Sequence, residues 1–203
     1  MKVETTPLEG LLILHPRVFC DERGFFLESY NAATFEQLGL RTDWCQDNHA
    51  ASTRGVLRGL HFQLGSGQAK LVRCTAGRTW DVAVDIRSGS STFGRWCGVE
   101  LTAENFRQLL IPEGFAHGYC VLSERAEMQY KCSTVYDPEL ESEIRWNDPQ
   151  LRVEWPITDP VLSQRDIHAQ SLRQYVKKIE QEQLLGGRGA SGESTPRPPQ
   201  GGS

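Results

Sequence analysis

Between Arg78 and Arg87 the chain alternates strictly, with Trp80, Val82, Val84 and Ile86 on one side and Asp81, Ala83, Asp85 and Arg87 on the other. A period of two sends successive side chains to opposite faces of a strand. Such a strand must bury four large apolar residues against one layer, while two carboxylates sharing a face with alanine look into a polar interior. The stretch from Glu127 to Val135 alternates in the same way, grouping Met128, Tyr130, Cys132 and Thr134, and Arg107 to Val121 reads as two strands broken at Pro112-Glu113-Gly114. From about residue 10 to 160, short β-like segments are separated by Gly, Pro, Asn, Asp and Ser clusters. The pattern predicts a sandwich or barrel. Helical spacing is confined to Asn31–Leu38 and to residues 171–185, where Leu172, Tyr175, Val176 and Ile179 form one stripe that would pack on the barrel. Residues 186–203 carry no large apolar side chain and are rich in Gly, Pro and Ser, so they are expected to be a disordered tail. The ordered chain is therefore read as one domain, residues 1–185.

With 38% hydrophobic and 24% charged residues the composition is globular, and no apolar run approaches the roughly 20 residues that a membrane-spanning helix needs. The start, Met1 to Pro7, lacks the basic segment and apolar run of a secretory signal, which predicts a cytoplasmic location. The six cysteines are scattered without a Cys-x-x-Cys pair and are expected to be reduced. A net charge of -4 argues against nucleic acid as a partner, so any phosphate must be met by a few placed arginines.

Two histidines stand in frames typical of metal-binding β-barrels of the cupin class. Gly55 lies six positions before His61, and Pro112, Gly114 and His117 follow the spacing Pro-x-Gly-x-x-His, so the fold resembles a cupin, or jelly-roll, β-barrel. The metal set is incomplete, however. Gln63 occupies the place of a second histidine, and Gly67 and Gln68 the place of a glutamate. A catalytic transition-metal site needs about three protein ligands, so no metal and no cofactor are expected. Imidazole titrates near neutral pH, which suits the remaining histidines to proton transfer. His61 is the better candidate: Arg58 lies three residues before it, and Gly59 permits close approach of a ligand. A hydrogen-bonded structural histidine is the alternative for either.

The ordered region also resembles the dTDP-4-dehydrorhamnose 3,5-epimerases. The stretches that carry the resemblance are 21–28 (DERGFFLE), 46–48 (QDN), 55–63 (GVLRGLHFQ), Ala69-Lys70, 81–87 (DVAVDIR), 92–94 (TFG), 111–118 (IPEGFAHG), Tyr130-Lys131, 146–149 (WNDP) and 162–166 (LSQRD), all in family order over about residues 10 to 170. The resemblance implies a metal-free epimerase acting on a dTDP-linked 4-keto-6-deoxy sugar. Hydrogens beside a ketone can be removed as protons because the resulting enolate places its charge on the carbonyl oxygen. Inversion then requires a base, a partner for the oxyanion, and an acid on the opposite face.

By this resemblance His61 is the base, Asp166 orients it, Lys70 faces the oxyanion and Tyr130 is the acid. Arg23, Arg58 and Arg165 are expected on the diphosphate. Glu28, Gln46, Asp47 and Asn48 are expected at the nucleotide or the neighbouring rim, and His117 and Glu141 on the substrate side. Tyr136 is a further candidate lining residue. Asp81 and Asp85 are read as inward-facing members of a network polarising His61 or Lys70, with an ordinary buried ion pair as the alternative. The family is typically a homodimer, in which case Arg23 serves the neighbour's site. Two other readings stay open: an enzyme inverting only C3 or only C5, and a non-catalytic sugar-nucleotide-binding cupin. Tyr130 favours double inversion, and the joint presence of His61, Lys70, Tyr130 and Asp166 favours catalysis over binding alone.

Overall fold

The computed structural model describes residues 1–188. Thirteen strands and three helices follow one another as β1 (Lys2–Thr5), β2 (Leu12–His15), β3 (Val18–Asp21), β4 (Gly24–Leu27), α1 (Ala32–Gln37), β5 (Gln46–Thr53), β6 (Leu57–Gln63), β7 (Lys70–Ala76), β8 (Arg78–Asp85), β9 (Trp96–Thr102), β10 (Gln108–Ile111), β11 (Phe115–Val121), β12 (Arg125–Cys132), β13 (Glu141–Glu143), α2 (Gln164–Ile167) and α3 (Leu172–Arg188). They form a six-stranded sheet in the order β1-β2-β10-β7-β12-β5, a five-stranded sheet in the order β13-β6-β11-β8-β9, and a separate hairpin, β3-β4. All strand pairs within these sheets are antiparallel.

The alternation seen in the sequence sorts side chains between three apolar clusters. Val82 and Val84 on one face of β8, with Ile86 just beyond its end, bury against α3 with Leu60, Phe62, Leu172 and Tyr175. The opposite face turns inward, where Ala83 joins Val72, Val99, Leu109, Phe115, Tyr119 and Met128 between the two large sheets. A third cluster, with Leu14, Phe35, Leu71 and Leu110, seats α1 on the outside of the six-stranded sheet. Asn31 caps α1 by accepting a hydrogen bond from the Thr34 amide, as its short polar side chain suits it to do. The fold is mainly β, a jelly roll with few helices.

Several boundaries differ from the sequence reading. β8 ends at Asp85 because Asp85 serves the following turn, accepting from Arg87, Ser90 and Thr92. β12 ends at Cys132, after which the chain leaves the sheet. The last helix continues to Arg188, past the expected limit at 185, and the remainder of the expected tail lies outside the described residues. Among the described residues, no helix is long and apolar enough to cross a membrane.

Candidate active site

The inner faces of the two large sheets define the site. On the five-stranded sheet, His61 of β6 and His117 of β11 stand directly opposite each other in register. Each is fixed by a carboxylate of its own. His61 Nε2 lies 2.6 Å from Asp166 Oδ1, and His117 Nε2 lies 2.8 Å from Asp81 Oδ1. A carboxylate accepting Nε2–H leaves Nδ1 of His61 as the free lone pair, the basic atom of the ring.

Asp166 is only 2% exposed and sits in α2, at the end of a loop that crosses beneath β6. Ser163, the helix N-cap, donates its hydroxyl to Asp166 Oδ2 at 2.7 Å, and accepts from the Asp166 amide. Burial pushes the Asp166 carboxyl up, but the hydrogen bonds from His61 and Ser163 outweigh it and hold the group below the usual carboxylate range. The charged form is thus the resting form, ready to stabilise an imidazolium.

Lys70 and Tyr130 belong to the opposite sheet. Lys70 opens β7, where it faces Cys132 of β12 in register, and Tyr130 faces Val72 and Asn48. Burial lowers the Lys70 ammonium from its ordinary value, opposed by the charges of Cys132, Asp81 and Glu141. Burial raises the Tyr130 phenol, so it keeps its proton well into alkaline conditions. Base and acid candidates therefore look at each other across the gap between two stacked sheets, a spacing of about 10 Å in such folds.

The rim is charged and largely self-neutralised. Arg165 pairs with Glu141 at 2.5 Å and with Glu143 at 3.1 Å. Although burial lowers it, Arg165 ends above its ordinary value because of these carboxylates. Arg58 is exposed, and its Nε donates to Ser52 at 3.0 Å, aiming the guanidinium along the edge of β5. Gln46 and Asn48 turn inward on β5 and are linked at 3.0 Å.

Four expected residues are placed otherwise. Asp47 is on the outer face of β5, paired with Lys131 at 3.0 Å, because its neighbours Gln46 and Asn48 take the inner positions of an alternating strand. Arg23 lies on the β3-β4 hairpin, 83% exposed and held by Asp21. Glu28 follows that hairpin and accepts from Asn31. Neither is brought to the cavity of its own chain. Asp85, as noted, stabilises a turn and touches neither His61 nor Lys70, whereas Asp81 polarises His117.

Sequence reasoning missed Ser163, Glu143 and the role of Gln68. A serine three positions before an aspartate is an N-cap signal, and could have revealed Ser163. Gln63 and Gln68, at the lost metal-ligand positions, are hydrogen-bonded to each other at 2.7 Å. Among the described residues there is no group of three or more His, Cys, Asp or Glu side chains arranged to hold a metal ion.

The chain is similar to proteins of one known family. The family model described as dTDP-4-dehydrorhamnose 3,5-epimerase matches residues 5–174. The chain belongs to this family. It is 54% identical over 172 residues to the dTDP-4-dehydrorhamnose 3,5-epimerase of Shigella flexneri, covering 84% of this chain and 95% of that protein. A crystal structure of the dTDP-6-deoxy-D-glucose-3,5-epimerase from Legionella pneumophila in complex with dTDP-4-keto-L-rhamnose superposes with a TM-score of 0.84 at 47% identity, covering 88% of this chain and 96% of that one. A 3'-monoepimerase from Streptomyces bikiniensis in complex with dTDP-quinovose superposes with a TM-score of 0.81 at 34% identity, over 90% and 98% of the two chains. As a dTDP-4-dehydrorhamnose 3,5-epimerase family member, the protein is an isomerase.

Proposed function

We propose that the enzyme inverts C3 and C5 of dTDP-4-dehydro-6-deoxy-D-glucose, giving dTDP-4-dehydro-L-rhamnose. The observation that carries this reading is the placement of His61 and Tyr130 on the inner faces of opposing sheets. A pyranose ring held between them offers one face to a base and the other to an acid. His61 Nδ1 takes the proton from the carbon beside the ketone, and Asp166 stabilises the imidazolium. The electron pair moves onto the C4 oxygen, where the Lys70 ammonium meets it in a largely dry cavity. Tyr130 then delivers a proton from the opposite face, which inverts the centre. Exchange with solvent then takes the proton from His61 and returns one to Tyr130, and repetition at the other flanking carbon completes the reaction. His117, held by Asp81, and Glu141 border the sugar, while Arg58, Gln46 and Asn48 meet the nucleotide.

The hairpin suggests how the nucleotide end is completed. Phe19, Phe25 and Phe26 are 49%, 61% and 65% exposed beside Arg23, an apolar and cationic surface that a single chain leaves uncovered. In a homodimer this surface reaches the partner's cavity, supplying Arg23 and Glu28 to it. All six cysteines are unpaired, which fits a reducing cytoplasm.

Incubating substrate in heavy water tests the assignment. Deuterium entering at both C3 and C5 is the expected result. Exchange at one carbon would instead assign a single inversion, as in the Streptomyces relative's name, and exchange at neither would leave a binding protein.

A further inference from the structure

The chain between β12 and β13, residues 133–140, runs between the two large sheets where their edge strands β5 and β13 leave the barrel open. It is a strap, carrying no regular strand of its own. Midway along it, the Tyr136 amide donates to Gln46 Oε1 of β5 at 2.8 Å, and the Tyr136 hydroxyl donates to Glu141 of β13. The strap therefore links one sheet edge to the other across the mouth of the cavity that holds His61, Lys70 and Tyr130.

What holds the strap down is a pair of amides at the two positions where a metal-binding cupin would carry ligands. Gln63 Nε2 donates to the Asp137 carbonyl at 3.2 Å. Gln68 Nε2 uses both of its protons, donating to Gln63 Oε1 at 2.7 Å and to the Thr134 carbonyl at 2.8 Å. Two further bonds, from the Ala69 amide to Ser133 Oγ at 2.8 Å and from the Ser133 amide to the Ala69 carbonyl at 3.1 Å, fix its near end, and the Leu64 amide donates to the Leu140 carbonyl at 2.8 Å at its far end. Gln68 is 9% exposed, so its amide makes these bonds away from water. Its middle portion, with Tyr136, depends on Gln63 and Gln68 alone among the side chains of β6 and the β6–β7 loop. A residue that accepts but cannot donate would loosen it on that side, leaving the Tyr136 bonds to Gln46 and Glu141 and the bond from Thr134 Oγ1 to the Gly67 carbonyl.

We propose that Gln63 and Gln68 are positioning residues that clamp the 133–140 strap over the mouth, so that the singly inverted sugar stays bound until its second inversion. This rests on the double inversion read above. That reaction passes through an intermediate which must remain in the cavity while the second flanking carbon meets the base. Escape competes with the second proton transfer, and the strap sets the rate of escape. The clamp touches neither the base nor the acid, so loosening it leaves the proton transfers themselves intact.

The test is Gln68→Glu in the full chain, an isosteric change that removes both donors and points a carboxylate at two carbonyl oxygens. Each lost neutral hydrogen bond corresponds to roughly a five-fold change. Under conditions where the wild type releases only doubly inverted product, the variant should release singly inverted sugar at least about ten-fold above the wild-type level and show a raised KM with kcat for the first exchange within about two-fold. Gln63→Leu, which breaks the bond to Asp137 but leaves Gln68 on Thr134, should shift the partition in the same direction by less. Thermal melting establishes that each variant is folded; a folded Gln68→Glu protein that still releases only doubly inverted product overturns the clamp, as does a fall in kcat with an unchanged partition. Wild-type protein exchanging only one carbon would instead remove the double-inversion reading on which the clamp depends.

Discussion

Replacing Asp166 by Asn isolates the contribution of the buried carboxylate behind the proposed base, His61. In the native chain that group takes a hydrogen bond from His61 Nε2 at 2.6 Å and from Ser163 Oγ at 2.7 Å, and the Gly59 amide lies 3.4 Å away. Asparagine keeps the shape but not the charge, and its amide nitrogen can face either partner only as a donor. As the base takes a proton, the imidazolium forms with its charge centre about 4 Å from where the carboxylate charge was. At an effective dielectric of about 20, that pair is worth roughly 4 kcal/mol, close to three orders of magnitude in rate. Deuterium exchange at C3 and C5 in Asp166→Asn should therefore fall about 10³-fold, while dTDP affinity, measured by calorimetry, stays within about two-fold. Stability should also change its pH dependence. Because the folded carboxyl lies below its unfolded value of about 3.9, its contribution is present above that pH and is lost as pH falls through the lower folded value. Acid denaturation of the variant should lack that component. Exchange at more than a tenth of the wild-type rate would show that Asp166 does not serve the base.

Lys70 must be charged to meet an oxyanion, and burial lowers its ammonium. Activity should decline as pH rises through a value below the ordinary 10.4 of lysine, and in Lys70→Met the pH–rate profile should lose that alkaline limb along with about 10²–10³-fold in kcat. Tyr130→Phe removes the proposed acid and leaves the proposed base, so exchange should persist at a tenth or more of the wild-type rate while inversion falls about 10²-fold; equal loss of both would assign the tyrosine a structural part. Gly59→Ala should unfold the site from below. Its φ is +126°, and an added Cβ would stand 2.5 Å from Gly118 Cα and 2.8 Å from the His117 carbonyl, so a loss of about 3 kcal/mol is expected in chemical denaturation.

The barrel was legible in the sequence because strand alternation is a local signal. The alternation from Arg78 to Arg87 marks β8 without knowledge of its neighbours, although the strand ends at Asp85, and Pro112-Glu113-Gly114 marks the break between β10 and β11 by backbone chemistry alone. The pairing of strands was not legible, since register depends on partners far along the chain: nothing near His61 says that His117 faces it. Periodicity places both carboxylates of β8 on one face, but not the partners they take, and they separate in use. Asp81 meets a histidine, and Asp85, the last residue of the strand, is taken by the Arg87, Ser90 and Thr92 turn. Asp47 shows the limit of reading a motif as a block. Residues 46–48 appear as a unit in the sequence, but a strand deals them to opposite faces, and the middle one faces out.

The site is assembled from both ends of the chain. The barrel's histidine comes from the first third of the chain, whereas the carboxylate that aligns it arrives from α2, held to β6 through the parallel bridge of Val56 with Val161. A nascent or proteolytically clipped chain ending before residue 160 would possess every β-strand and still lack an aligned base. On the proposed mechanism, full turnover is therefore expected after the carboxyl-terminal segment has docked.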